Sequence, residues 1–194
     1  MILFTVGTHE DPFDRLVQAA EVVAVALGER VVVQRGYSSC TAPHCEVLDL
    51  VSPSVFRQRV SEARLVVTHA GPATIDLALF LHKPVIVVPR SPAHGEHVDD
   101  HQLRFARYLE RWLPVVWDPQ GLPARIAQAA VESAPATFVL GWSNRESDEL
   151  ADSFLALLTD AMRPAGQEPP ARANLWSVSV GWRRIVHSLW RSGL

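Results

Sequence analysis

Polar residues that can bind a ligand or carry a proton are concentrated in three short segments of this 194-residue chain. These segments are residues 7–10, 68–74 and the longer 89–102. Each directly follows a short apolar run, so each is expected at the end of a strand. Ligands bind beyond the carboxyl ends of the strands in an open parallel sheet, and the three segments therefore predict one shared site.

The segment 68–74 has the composition of a phosphate-binding turn. Gly71 lets the backbone approach a ligand closely, and Pro72 suits the first position of a helix. The free N–H groups of Ala73 and Thr74, with the Thr74 hydroxyl, would then face a diphosphate at the positive end of the helix dipole. A Gly-Pro pair is also common at turns between a strand and a helix that bind no ligand, so this turn alone does not decide the function.

The segment 89–102 holds three histidines, three carboxylates and a glutamine. Such a set of donors and acceptors suits a polyhydroxylated ligand such as a sugar. The histidine spacing matches no closed structural zinc pattern, and no metal is expected. Asp99 is expected to cap the helix that begins near Gln102. Arg90, at the start of the segment, would favour a uronic acid, because a guanidinium pairs with a carboxylate bidentately.

Two side chains are candidates for a catalytic base. His9 follows a strand end, and its unperturbed pKa of about 6.5 suits proton transfer near neutral pH. The alternative role for His9 is to cap or hydrogen-bond its loop. Glu96 is the second candidate, with His97 as its hydrogen-bond partner.

The elements that must position these residues alternate along the chain. Short apolar runs predict strands at residues 2–6, 31–33, 47–51, 65–68 and 84–88. Their continuous apolar character indicates strands buried on both faces, as in a parallel sheet covered by helices. Helical periodicity between the runs completes the pattern of a doubly wound, mostly parallel α/β fold.

The first helix is expected to begin with Asp11 as its N-cap and Pro12 at the first helical position. Ser52 and Pro53 open the next helix in the same way. Further helices are predicted within residues 71–82, 102–111, 122–133 and 145–162.

The composition indicates one compact domain and excludes some classes of partner. The chain is 48% hydrophobic with a net charge of −3, so no global basic field attracts nucleic acid. Its two cysteines, Cys40 and Cys45, are too few for a disulfide framework and are expected as free thiols. The N-terminus is expected as a strand rather than a signal peptide, and no window approaches the ~20 apolar residues of a membrane span.

The chain is predicted to divide into a Rossmann-like domain (residues 1–162), a linker (163–174) and a helical tail (175–194). The linker prediction rests on three prolines and a glycine in residues 163–170. The tail carries Trp176, Trp182 and Trp190 among arginines. Such residues suit docking to a partner subunit, packing against the chain's own domain, or contact with a membrane surface.

Taken together and in order, the motifs resemble the C-terminal half of family 28 glycosyltransferases. They are Thr68-His69-Ala70-Gly71 with Thr74, Lys83-Pro84-Val85 with Val88-Pro89-Arg90, and Gly95-Glu96-His97 with Asp99-Asp100-His101-Gln102. The opening is similar to that of single-half catalytic subunits that make bacterial exopolysaccharide. It comprises Gly7-Thr8-His9-Glu10, Pro12-Phe13-Asp14-Arg15-Leu16-Val17 and Gln34-Arg35-Gly36.

This resemblance implies the donor-binding half of an inverting GT-B glycosyltransferase that uses a UDP-sugar. It assigns residues 71–74 to the diphosphate, His101 and Gln102 to the sugar hydroxyls, and Gly7 and Thr8 to the cleft. The expected substrate-binding residues are Gly7, Thr8, Gln34, His69, Gly71, Ala73, Thr74, Arg90, His97, His101 and Gln102.

The resemblance further implies a metal-independent reaction without a cofactor. The acceptor would be a polyprenyl-diphosphate-linked saccharide, held by a membrane-anchored partner subunit at the inner face of the plasma membrane. The chain departs from the family at two positions, with Ala73 in place of a second glycine and Leu77 in place of a ribose-binding glutamate. A non-catalytic sugar-nucleotide-binding module and a stand-alone hydrolase or epimerase are the alternative functions.

Overall fold

The computed structural model describes residues 1–132, which form a five-stranded parallel sheet with helices on both faces. The order across the sheet is β3-β2-β1-β4-β5. The strands are β1 (Ile2–Thr5), β2 (Val31–Gln34), β3 (Glu46–Leu48), β4 (Leu65–Thr68) and β5 (Val85–Val87). The helices are α1 (Asp14–Leu27), α2 (Pro53–Glu62), α3 (Pro72–Phe80), α4 (His101–Leu109) and α5 (Leu122–Glu132).

Two hydrophobic layers enclose the sheet, because successive strand residues point to opposite faces. Ile2 and Phe4 pack in the layer that also contains residues of α1 and α5. Leu3 packs in the opposite layer with residues of α2, α3 and α4. The predicted doubly wound α/β fold is therefore confirmed. None of the helices in residues 1–132 is long and apolar enough to cross a bilayer.

The predicted start of the first helix was wrong. The helix begins at Asp14 after Phe13, and no side chain caps it. Asp11 does not act as the N-cap, because its carbonyl accepts a hydrogen bond from the Arg90 guanidinium at 2.7 Å. The Phe13 N–H donates to Ser38 Oγ at 2.8 Å. These tertiary contacts hold residues 11–13 as a loop.

The third strand also differs from its prediction. Strand β3 begins at Glu46 and ends at Leu48, whereas the apolar run predicted residues 47–51. Because β3 lies at the edge of the sheet, it is not buried on both faces, and Val47 is 38% exposed. Asp49 forms an ion pair with Arg35 at 2.7 Å.

The topology brings the three polar segments together. Strand β1 lies between β2 and β4, and the chain order reverses between β1 and β4. This is the switch point at which doubly wound sheets bind ligands. The loops that follow β1, β4 and β5 leave the same edge of the sheet at neighbouring positions. The predictions for the helix at 145–162, the linker at 163–174 and the tail at 175–194 lie outside the described residues.

Candidate functional site

The imidazole of His69 fills the gap between two glycine turns at the switch point. A Cβ atom placed on Gly7 would lie 2.4 Å from His69 Cε1, and one placed on Gly71 would lie 2.0 Å from His69 Nε2. Gly7 also has a φ of +80°, which L side chains rarely adopt. Glycine is therefore required at both positions for the ring to fit between the turns after β1 and β4.

His69 is a neutral group in the folded protein. Burial, reinforced by the nearby charge of Arg90, lowers the pKa of His69 to about 3. Its backbone N–H donates to the Thr5 carbonyl at 3.3 Å, which continues the pairing of β4 with β1. Because the ring is uncharged near neutral pH, it supplies hydrogen bonding and shape rather than a cation for phosphate.

We expect the stability of the protein to fall as the pH is lowered from about 6.5 toward 3 because of His69. In this window the unfolded imidazole binds a proton and the folded one does not, so the free energy of unfolding rises with pH. The His69 contribution has a slope of up to about 1.4 kcal/mol per pH unit. Urea unfolding of the wild type and His69→Gln from pH 7 to 5 measures it. Identical pH slopes in the two proteins would contradict this assignment.

The turn after β4 has the backbone geometry of an anion-binding helix start. Gly71 is the N-cap of α3, and Pro72 occupies the first helical position as predicted. The Ile75 N–H donates to the Gly71 carbonyl at 3.2 Å and begins the hydrogen-bond ladder. The N–H groups of Ala73 and Thr74 precede that ladder, with Ala73 exposed and Thr74 half-buried. They point outward at the positive end of the helix dipole.

Gln34 positions the first glycine turn and does not reach into the site. Its side chain is buried, accepts a hydrogen bond from Thr5 Oγ1 at 2.6 Å, and donates to the Gly7 carbonyl at 3.3 Å. Both ends of the amide are therefore used inside the protein. This corrects the prediction that Gln34 contacts the substrate. Thr8, by contrast, is exposed beside Gly7.

Arg90 is fully buried, and both Nη atoms of its guanidinium donate to backbone carbonyls, whereas its buried Nε has no hydrogen-bond partner within residues 1–132. Nη1 donates to Asp11 O at 2.7 Å and to Glu96 O at 2.9 Å. Nη2 donates to Val6 O at 2.7 Å. The guanidinium also lies 5.0 Å from the Phe13 ring centre. Arg90 therefore ties the loops after β1 and β5 together, which differs from its predicted role as a substrate ligand.

Glu96 is likewise a structural residue, which corrects its prediction as a catalytic base with His97 as its partner. Its side chain is 5% exposed and forms a bidentate pair with Arg15, at 2.8 and 2.9 Å. The second carboxylate oxygen also accepts from the Ser91 N–H at 2.9 Å. Both carboxylate oxygens of Glu96 therefore already accept hydrogen bonds from other groups of the protein.

Arg15 holds Glu96 in place, although the sequence analysis did not predict a role for it. Besides Glu96, it binds the carbonyls of Pro89 and Trp117, at 3.2 and 3.1 Å. The only signal in the sequence was its place inside the motif that resembles the exopolysaccharide subunits. Nothing in local spacing reveals a partner 81 positions away.

Arg15, Glu96 and Arg90 together form a clamp that holds the loops around the site. Three histidines lie close to one another beside this clamp. The ring of His97 lies 4.3 Å from the ring of His9 and 4.4 Å from that of His101, between ring centres. Burial and the positive charges of the two neighbouring histidines lower the pKa of His97, and Asp99 opposes them. His9 Nδ1 accepts a hydrogen bond from the Asp11 N–H at 3.2 Å. The same nitrogen lies 3.5 Å from Asp11 Oδ2, and these two contacts fit the predicted alternative in which His9 hydrogen-bonds its own loop.

The start of α4 presents His101 and Gln102 to the same region. The N-cap of α4 is Asp100 and no side chain caps the helix, so the prediction that Asp99 caps it was wrong. Asp99 instead lies one residue before the N-cap, where it accepts from the His101 N–H at 3.0 Å and contacts the His101 ring. The hydrogen bond from that backbone N–H, followed by the contact with the His101 ring, lowers the pKa of Asp99. Gln102 is buried, and its oxygen accepts from the Arg90 N–H at 3.3 Å. The Gln102 amide nitrogen donates no hydrogen bond to any of the described residues.

Leu77, one of the two departures from the family pattern, and its neighbour Asp76 lie on different sides of α3. Leu77 is 8% exposed and packs in the hydrophobic layer beneath the helix. Asp76 lies on the exposed side, and desolvation raises the pKa of its carboxyl. A carboxylate at position 77 would have to enter the core, whereas Asp76 lies on the exposed side of the helix. Because the two positions face different surroundings, Asp76 does not take the place of the family's glutamate.

Both cysteines are free thiols, as predicted. Burial raises the pKa of Cys40 to about 11 and that of Cys45 to about 12. Both side chains pack against the hydrophobic layer that contains α1. They are therefore protonated near neutral pH and unreactive as nucleophiles.

Several solved structures are similar to this chain, and no curated protein sequence is. The glycotransferase of kitacinnamycin superposes with a TM-score of 0.53 at 20% identity, over 72% of this chain and 37% of that one. MurG of Acinetobacter baumannii gives 0.45 at 18% identity, over 66% and 40% of the two chains. ALG13 superposes with a TM-score of 0.47 at 19% identity, over 68% of this chain and 86% of that one. Only the first score supports the fold.

The chain spans about two fifths of the length of the first two of these structures, 37% and 40%. Its fold is accordingly that of one Rossmann-like half of a GT-B glycosyltransferase. Residues 1–116 match the sequence profile of the glycosyltransferase family 28 C-terminal domain. That match covers more than half of the chain and includes every loop of the site. The protein therefore belongs to the C-terminal domain family of family 28 glycosyltransferases.

Proposed function

We propose that this chain is the donor-binding half of an inverting glycosyltransferase that uses a UDP-sugar. Family membership and fold support a role in glycosyl transfer. The observation that carries the proposal is the turn at Gly71, whose outward N–H groups at the start of α3 lie at the switch point of the sheet. Such a turn binds a diphosphate without a metal ion.

In the proposed reaction an acceptor hydroxyl attacks the anomeric carbon while the bond to the UDP oxygen breaks. The N–H groups of Ala73 and Thr74 and the Thr74 hydroxyl stabilise the charge that develops on the leaving UDP. His101 and the Gln102 amide nitrogen hold the sugar hydroxyls. Because His9 Nδ1 is engaged and Glu96 is paired with Arg15, the base that takes the acceptor proton is proposed to come from the acceptor half.

We propose that a second, membrane-attached polypeptide supplies this acceptor half and binds a polyprenyl-diphosphate-linked saccharide. The support is that the family match and the fold correspond to one half of a two-domain enzyme. This arrangement would place the chain at the cytoplasmic face of the plasma membrane. The opening motif that resembles exopolysaccharide subunits suggests that pathway class.

Thr74→Ala is expected to weaken UDP binding about tenfold or more, because it removes a hydrogen bond to a charged phosphate. Calorimetric titration of the chain, with and without magnesium and with its partner co-purified where the chain alone binds weakly, measures the dissociation constant. Thr41→Ala, at an exposed threonine beside β3, is the matched control. Equal UDP affinities in the two variants would remove the diphosphate assignment of this turn.

Transfer assays then separate the proposed function from its alternatives. Activity of the chain with the partner, and none without it, is the expected result. UDP binding with no transfer in the reconstituted pair would instead favour the non-catalytic nucleotide-binding module. Turnover of UDP-sugars by the isolated chain would favour a hydrolase or epimerase. Because Arg90 is buried, no preference for a uronic acid donor is expected from it.

A further inference from the structure

We propose that His97, Asp99 and His101 form a binding site for a transition-metal ion, of which zinc is the best match. One ligand atom from each residue lies within 4.8 Å of the others, and this is the one such group of three among the described residues. The residues follow the pattern His-x-Asp-x-His across the loop that leads into α4. None of the three is used by the clamp of Arg15, Glu96 and Arg90.

The distances suit a zinc ion after small side-chain adjustments. His97 Nδ1 lies 3.5 Å from Asp99 Oδ1, and His101 Nδ1 contacts the same oxygen. Ligand bonds of about 2.0–2.2 Å in a tetrahedral site place neighbouring ligand atoms roughly 3.4 Å apart. The His97 ring nitrogen has only a weak contact to give up, with the Asp99 N–H at 3.4 Å.

The loop holds these ligands in place before any ion binds. The Asp99 carboxylate is fixed by the His101 N–H at 3.0 Å, and the His97 side chain is only 6% exposed. The neighbouring Glu96 is locked by Arg15. A site formed by ordered side chains loses less conformational freedom on binding than one formed by mobile surface residues.

The ligand set selects the class of ion. Two imidazoles and one carboxylate suit zinc and related transition metals, whereas magnesium and calcium require mostly oxygen ligands. Three protein ligands leave one position open for water or another molecule. Because the proposed function assigns His101 to the sugar hydroxyls, the ion and the UDP-sugar would compete for His101, and the ion is therefore not proposed as a cofactor of the transfer reaction.

A second histidine–carboxylate pair in the same protein provides the control. His44 contacts Glu21 through Nδ1 in the same way that His101 contacts Asp99. Its side chain is 65% exposed, and it does not belong to a group of three ligands among the described residues. His44→Ala therefore removes a histidine paired with a carboxylate but leaves the proposed site intact.

The test is titration of the full, tag-free chain with Co²⁺ in the absence of nucleotide, followed by displacement with Zn²⁺. We expect one ion per chain, the visible absorption bands of tetrahedral cobalt, and their loss when zinc is added. His97→Ala, His101→Ala and Asp99→Asn should each weaken binding at least about 100-fold, because loss of a ligand exceeds the 10–100-fold effect of an outer-shell partner. His44→Ala should bind as the wild type does.

No visible bands with the wild type, or equal affinity in His97→Ala and the wild type, would overturn the proposal. Equal losses in His44→Ala and His101→Ala would also overturn it, because they would indicate adventitious surface binding. Asp99 is exposed and His101 is half-buried, so their variants are expected to fold, and circular dichroism checks this. The titration contains no UDP-sugar, so its result is independent of the proposed transferase function.

Discussion

Arg90→Met is expected to lower the free energy of unfolding by about 3 to 5 kcal/mol. The substitution leaves the carbonyls of Val6, Asp11 and Glu96 without the buried donor that they share. Hydrogen bonds from a charged group contribute about 1.5–3 kcal/mol each, and breaking a buried charged network costs about 3–5 kcal/mol. Methionine fills a similar volume, so the loss reports the hydrogen bonds rather than a cavity.

Urea unfolding at pH 7 measures this effect, with Arg107→Met as the matched control at an exposed position of α4. The control is expected to change stability by less than about 0.5 kcal/mol. If Arg90→Met lowers the free energy of unfolding by less than about 1 kcal/mol, Arg90 does not hold the two loops together. A normal stability together with lost use of uronic acid donors would restore the sugar-binding role predicted from the sequence.

Gly71→Ala is expected to abolish the site through a steric conflict with His69. The new Cβ would lie 2.0 Å from His69 Nε2, so the ring or the turn must move. Overpacking of this kind costs about 1–3 kcal/mol of stability. If the turn binds UDP as proposed, a displacement of about 1 Å lowers affinity at least about 100-fold, by analogy with misplaced catalytic groups. Urea unfolding and calorimetry measure the two effects, and Gly121→Ala, whose Cβ meets nothing within 4 Å, is the control.

A double-mutant cycle with His69→Ala isolates the cause. Gly71 has a φ of −95°, which alanine adopts freely, so removing the ring should abolish most of the cost of Gly71→Ala. Removing the ring should relieve the stability cost of Gly7→Ala only in part, because a φ of +80° still costs alanine about 1–2 kcal/mol. If Gly71→Ala is equally harmful with and without the imidazole, the ring is not what requires glycine there.

The amino-acid sequence by itself determined the fold class and predicted the location of the candidate site. Each strand except β3 is a short apolar run, and those runs are buried on both faces because helices cover the sheet on each side. Since ligands bind where such strands end, polar residues placed there mark the site without further information. The helix start at Gly71 and Pro72 was also readable, because it depends on neighbours within three residues.

Only the tertiary structure decided which polar side chains are hydrogen-bonded inside the protein. Arg90, Glu96 and Gln34 looked like binding groups, but their partners lie 5 to 84 positions away in the chain. Burying a charged or amide group costs free energy unless hydrogen bonds compensate it, and here neighbouring loops supply most of those bonds. Residue type and spacing cannot distinguish a side chain that holds loops together from one that holds a substrate, because both need the same polar atoms.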